Sequence, residues 1–120
     1  MKNLKIISPS LHGILDYMVD ITLISVPLIL NFKDVSNIAF WVPFGIGLSN
    51  FLYSLLTVYS RSVVKLIPMK IHLLLDFLAG LILFAMAFII PVIGFVKLFY
   101  ITMGVGIILA TSLTRPNESN

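Results

Sequence analysis

The chain has 120 residues, 59% of them hydrophobic and only 11% charged, with a net charge of +3. Soluble domains carry about 25% charged residues, and no polar face interrupts the apolar stretches here, so a water-soluble bundle is excluded. Without cysteine, disulfides, thiolate metal ligands and a thiol nucleophile are excluded as well.

The apolar residues fall into four runs of the length a helix needs to cross a bilayer, roughly 20 residues. Lys2 and Lys5 precede the first run, but His12, Asp16 and Asp20 interrupt it and no small-x-small cleavage site follows. It is therefore expected to be a retained span and not a signal peptide. Span one is predicted from about Leu11 to Phe32, with Ser10 as its N-cap and the turn "NFKDVSN" at its end. Span two is predicted from about Ile38 to Tyr59, followed by the basic segment "SRSVVKLIPMK". Span three is predicted from about Met69 to Ile90, and Pro91 and Gly94 make the next turn. Span four is predicted from about Val96 to Leu113, before the polar tail "TRPNESN". The expected fold class is all-α, a four-transmembrane-helix bundle forming one integral membrane domain over residues 1–120.

Lysine and arginine set the expected orientation. Lys2, Lys5, Arg61, Lys65, Lys70 and Arg115 fall on the side of the termini, against Lys33 and Lys97 on the other. Positive charge marks the cytoplasmic side, so both termini are expected there, in a bacterial inner membrane. Phe40, Trp41, Phe44, Phe95, Phe99 and Tyr100 are expected to form an aromatic belt at the outer interface.

The chain also repeats itself. His12 and Asp16 in "LHGILDYMVD" align with His72 and Asp76 in "IHLLLDFLAG" at an offset of 60. "FGIG" at 44–47 aligns with "MGVG" at 103–106. Two tandem helical hairpins of the same topology are expected, over about residues 9–60 and 68–114, related by an axis along the membrane normal.

Residues four apart share a helix face, so His12, Asp16 and Asp20 form one stripe and His72 and Asp76 another. Asp20 has no twin, because Gly80 takes its place. A buried aspartate costs about 2.5 to 3.5 kcal/mol at a helix centre on insertion scales, so these five residues are the candidate polar cluster. Depth counting on the antiparallel span two places Asn50 near Asp20, Tyr53 and Ser54 near Asp16, and Thr57 near His12. Gly45, Ser49, Gly104, Gly106 and Ala110 are the expected helix-packing positions, since small residues let helices approach closely in lipid.

Four readings of the cluster stay open. It can be interhelical glue, each His bonding its own Asp or the other repeat's Asp. It can pass protons or ions, since His titrates near neutral pH. His12, Asp16, His72 and Asp76 can also bind a divalent metal such as zinc. A small ligand, quinone or bis-His haem is the fourth reading. The residues by themselves dictate no cofactor. Expected partners are the lipid bilayer and a second copy or another membrane protein. Nucleic acid is not expected, because the basic segment spreads three cations over ten residues. No catalytic residue is expected: a nucleophile elbow is absent from the sequence.

"LHGILDY" and "RSVVKLIPMKIHLLLDFLAGLIL" resemble the starts of the first and second repeats of the SPW-repeat family of small bacterial membrane proteins. "SVPLILNF" matches its signature at Pro27 and Phe32, with Leu28 in place of the tryptophan; "IIPVIGF" matches at Gly94 and Phe95. The resemblance implies an integral membrane domain without an established activity. On both grounds the expected role is a structural or accessory membrane protein.

Overall fold

A computed structural model describes residues 5–57 and 63–116. The positive-side residues Lys2 and Arg61 and the last four residues of the polar tail lie outside them. Among the described residues there are four α-helices, α1 (Pro9–Ile29), α2 (Asn37–Leu55), α3 (Met69–Ile89) and α4 (Gly94–Ser112), with one 3-10 turn at Phe32–Asp34. All four helices are long and apolar enough to cross a membrane. Large apolar side chains such as Ile21, Leu52, Leu81 and Leu109 point outward, as lipid contact requires.

Local chemistry explains the boundaries. α1 begins at Pro9, and its cap is Ser8, which accepts a hydrogen bond from the Leu11 amide at 3.1 Å. The expected cap Ser10 already lies inside the helix, because proline is tolerated in the first turn. Ser36 caps α2 by accepting from the Ala39 amide at 3.1 Å. Asn31 (φ 52°) and Gly94 (φ 60°) take the left-handed conformation that reverses the chain after α1 and before α4. α2 stops at Leu55, four residues before the expected end. Beyond it, Thr57 pairs in a short parallel bridge with Ile67. A matching bridge joins Ile7 to Thr114, so the start of α1 and the end of α4 are tied together as the end of α2 and the start of α3 are.

α1 packs along α2, and α3 along α4; the contact between these hairpins is much thinner. On α1 the buried stripe includes Pro9, His12, Asp16, Asp20, Leu23 and Pro27, and on α3 Met69, His72, Asp76, Gly80, Leu83 and Ala87. These stripes correspond at a spacing of 60 residues. On α2 and α4 the buried positions Pro43, Gly47, Asn50 and Ser54 correspond to Tyr100, Gly104, Ile107 and Thr111 at a spacing of 57. The glycine that packs in α2 is therefore Gly47. A Cβ there would stand 2.8 Å from Leu23 Cβ and 3.1 Å from the Asp20 carbonyl. A Cβ at Gly104 would stand 2.8 Å from the Phe84 amide nitrogen and 2.9 Å from the Gly80 carbonyl. The expected packing role of Gly104 matches this contact. At Gly45 and Gly106 a Cβ would meet nothing within 4 Å, so neither supports packing within the chain. Their faces turn away from the hairpin seams.

The apolar core sits in the half distant from the termini. Leu23, Leu83, Phe32, Phe40, Phe99 and Tyr100 are buried there. Phe40, Phe99 and Tyr100 are thus core residues and not interface residues; Trp41 and Phe95 are about half exposed, as a belt requires. The Tyr100 hydroxyl donates to the Ala39 carbonyl at 2.7 Å, and Phe32 meets Phe99 edge to face at 5.5 Å. These contacts join the hairpins at this end. Lys33 lies over the rings of Phe40 and Trp41, and Lys97 over Phe88, so each cation of this end sits against an aromatic face.

Candidate functional site

The half nearer the termini has a polar core. His12 and His72 sit in the first turns of α1 and α3, and Asp16 and Asp76 follow one turn later. All four are buried and converge on one point between the hairpins. Their shortest bonds cross the hairpin boundary. His12 Nε2 lies 2.7 Å from Asp76 Oδ2, and His72 Nε2 lies 2.5 Å from Asp16 Oδ2. The contacts within each helix are longer, 3.2 Å from His12 to Asp16 and 3.1 Å from His72 to Asp76. The imidazole rings stand edge to face with centroids 5.5 Å apart.

Two threonines fix the rings from behind. His72 Nδ1 lies 2.7 Å from Thr57 Oγ1, and His12 Nδ1 lies 2.8 Å from Thr114 Oγ1. Each hydroxyl already donates its own hydrogen to a helix carbonyl, Thr57 to Tyr53 at 2.7 Å and Thr114 to Ala110 at 2.6 Å. A hydroxyl has one hydrogen to give, so toward the ring it can only accept. Both Nδ1 atoms must therefore carry hydrogen, and both Nε2 atoms are turned toward the carboxylates. The Thr57–Ile67 and Thr114–Ile7 bridges hold these threonines at the helix ends.

Tyr53 donates to Asp76 Oδ1 at 2.6 Å. Ser54 lies 3.5 Å from Asp16 Oδ2, a weak contact, and donates to Asn50 Oδ1 at 3.2 Å. Ser54 lies beside Asp16, where depth counting placed it, and Tyr53 and Thr57 take other partners. Tyr53 bonds Asp76 instead of Asp16, and Thr57 bonds His72 instead of His12, because both reach across to the other hairpin. Thr114 is a site residue outside the expected cluster and packing positions. Its signal was available: it stands just past α4 as Thr57 stands just past α2.

Asp20 lies one turn beyond Asp16 and is fully buried. Neither of its carboxyl oxygens has a hydrogen-bond partner among the described residues, and the same holds for Asn50 Nδ2 and Thr111 Oγ1. The five expected cluster residues thus divide into four that meet and one that stands apart. Gly45 and Ser49 do not face α1. They line a groove of about 430 Å³ between α2 and α3, with Tyr53, Leu75 and Ala79.

Comparison with known protein families, with curated proteins and with solved structures finds no match to this chain.

Proposed function

We propose that this is a small accessory protein of a bacterial inner membrane, with both termini cytoplasmic, in which a buried His–Asp clasp joins two repeated hairpins. The observation that carries the reading is the crossing: His12 pairs with Asp76 and His72 with Asp16. In lipid, apolar surface gives helices little reason to associate, so packing and polar contacts must do so. Within each hairpin a glycine contact serves; between hairpins the contact is thin and the clasp lies at its terminal end. The spacings of 60 and 57 between buried positions support a tandem duplication, and the SPW-repeat resemblance is consistent with that architecture. The excess of cations near the termini supports their cytoplasmic placement.

Exchange of partners tests the clasp. His12→Asp and Asp76→His each break one crossed pair and lower stability in lipid nanodiscs. The double exchange restores a pair with opposite polarity and recovers much of the loss. Spin labels on α2 and α4 that report unchanged distances in the single variants would remove the clasp reading.

A second reading, a proton path, rests on one observation: Asp20 is buried beyond the cluster, with no partner for its carboxyl among the described residues. Intramembrane carboxyls often mark such paths. It requires that Asp20→Asn abolish pH-driven flux in proteoliposomes; equal flux from the variant and the natural chain ends it.

A further inference from the structure

We propose that the His–Asp clasp is a binding site for one divalent transition metal ion of the zinc class, held by His12 Nε2, His72 Nε2 and one oxygen each of Asp16 and Asp76. The inference rests on the clasp reading only in requiring that these four side chains meet.

Geometry gives the first reason. One ligand atom from each of the four residues lies within 4.8 Å of all the others. The four nitrogen–oxygen separations are 2.5, 2.7, 3.1 and 3.2 Å. A tetrahedral ion with bonds of about 2.0–2.1 Å sets its ligand atoms roughly 3.3–3.4 Å apart. The nitrogen–oxygen contacts fall short of this by less than about 1 Å, and Asp16 meets His12 through Oδ1 and His72 through Oδ2, so side-chain rotation that selects one of these oxygens and opens the contacts would seat the ion. The nitrogens and oxygens alternate around the centre, each Nε2 lying beside both carboxylates. This arrangement suits a compact ion better than a flat macrocycle, because carboxylates fill the space between the two Nε2 atoms.

The second reason is the orientation of the rings. A metal-ligating histidine nearly always donates its other ring N–H to a fixed acceptor, which sets the tautomer and aims the lone pair. Thr57 and Thr114 do this here for both rings, since their own hydrogens are committed to Tyr53 and Ala110. Tyr53 similarly occupies Asp76 Oδ1 and leaves Oδ2 toward the centre.

Charge is the third. Two carboxylates in a hydrocarbon layer need compensation. One dication supplies it in full and leaves both imidazoles neutral, each Nε2 giving a lone pair where a shared proton would otherwise hold the N–O contact. The donor set then selects the class. Two imidazole nitrogens and two carboxylates, with no thiolate, match zinc and its first-row neighbours. Magnesium and calcium prefer all-oxygen sites of higher coordination.

The test uses the full chain in lipid nanodiscs, stripped with chelator and titrated with Zn²⁺ or Co²⁺. One equivalent per chain is expected, with the visible absorption of tetrahedral cobalt. Asp16→Asn and Asp76→Asn should each weaken binding by more than about tenfold, and Thr57→Val and Thr114→Val by about tenfold through loss of ring orientation. Asp20→Asn should keep the stoichiometry and the spectrum. The proposal is overturned if the natural chain, folded and with its hairpins docked, binds Co²⁺ no more tightly than the His12→Gln/His72→Gln double variant; the clasp then stands without a metal. Tight stoichiometric binding by the natural chain, lost in a double variant whose hairpins stay docked, supports the metal site and removes the clasp. If the double variant does not fold, the Thr57→Val and Thr114→Val spectra decide, since those changes leave all four ligands in place.

Discussion

One turn beyond the cluster the two hairpins part company. The first holds Asp20 and Asn50, buried and incompletely bonded among the described residues. The second holds Gly80 and Ile107 at the corresponding positions, with Gly80 set against the backbone of Gly104. At the cluster itself each supplies a histidine, an aspartate and a threonine, and the first adds Tyr53 and Ser54. The contrast has a physical cause. At the cluster both histidines, both aspartates, both threonines and Tyr53 bond across the hairpin boundary, so a change in one half strands a group in the other. Beyond it each hairpin packs mainly against itself, and only local fit constrains the residue. Hairpin two uses this freedom for close backbone contact, hairpin one for a carboxyl.

The largest break in the comparison should come at the shared level. Asp76→Ala leaves His12 Nε2 without its 2.7 Å partner and the Tyr53 hydroxyl without its acceptor. Breaking a buried pair by removing one partner costs about 3–5 kcal/mol, and unfolding by denaturing detergent from nanodiscs should report a loss of that order. Asp16→Ala should cost less, because among the described residues the hydroxyl beside Asp16 is Ser54 at 3.5 Å, a weaker contact than Tyr53 makes to Asp76. Equal losses would mean that Tyr53 adds nothing to Asp76.

Close packing in hairpin two gives the next effect. In Gly104→Ala the new methyl would meet the Phe84 nitrogen at 2.8 Å and the Gly80 carbonyl at 2.9 Å. Both are backbone atoms, so α3 and α4 must separate. Overpacking of this kind costs about 1–3 kcal/mol. Gly106→Ala and Gly45→Ala meet nothing within 4 Å and should change stability by less than about 0.5 kcal/mol in the same assay. A loss at Gly106 equal to that at Gly104 would show that its open face is covered by a second molecule.

These glycines also mark what the sequence could reveal. The four spans were readable because apolar runs of membrane length have few other uses. His12, Asp16, His72 and Asp76 were readable as a cluster because the His–Asp spacing occurs twice. The choice between Gly45 and Gly47 was not readable, because an all-apolar helix has no polar face to fix its rotation. Aligning "FGIG" with "MGVG" matched letters, whereas the buried positions of α2 and α4 correspond at 57 residues. The sequence left same-helix and crossed pairing both open: i, i+4 spacing points to partners on the same helix, and only the hairpin interface brings the closer ones. Aromatic residues near span ends suggested a belt, but burial depends on which side of the helix they occupy, and Phe40, Phe99 and Tyr100 turn inward.

A smaller effect tests the ring supports. Thr57→Val keeps the shape of the side chain and removes the acceptor of His72 Nδ1. A buried N–H without a partner costs about 1–3 kcal/mol, so a loss near the lower end of that range is expected. Thr114→Val should match it, because His12 is held in the same way. Nitrogen-15 spectra of the two rings should show the natural chain with hydrogen on both Nδ1 atoms, and each variant should disturb one ring.

The smallest effect carries the opposite sign. Asp20→Ala makes the first hairpin resemble the second at this level, removing a carboxyl whose oxygens have no partner among the described residues. Leaving such a group buried is costly, and its removal should outweigh the lost packing, for a net gain of about 1 kcal/mol. An apolar side chain is also favoured over aspartate at this depth of a membrane helix. A gain in stability with unchanged proton flux would make Asp20 a tolerated cost within an otherwise structural hairpin. A gain with lost flux would make it a functional group maintained against stability. A fall in stability would mean that an ion or water satisfies the carboxyl in the membrane, and the two hairpins would then differ in what they bind as well as in how they pack.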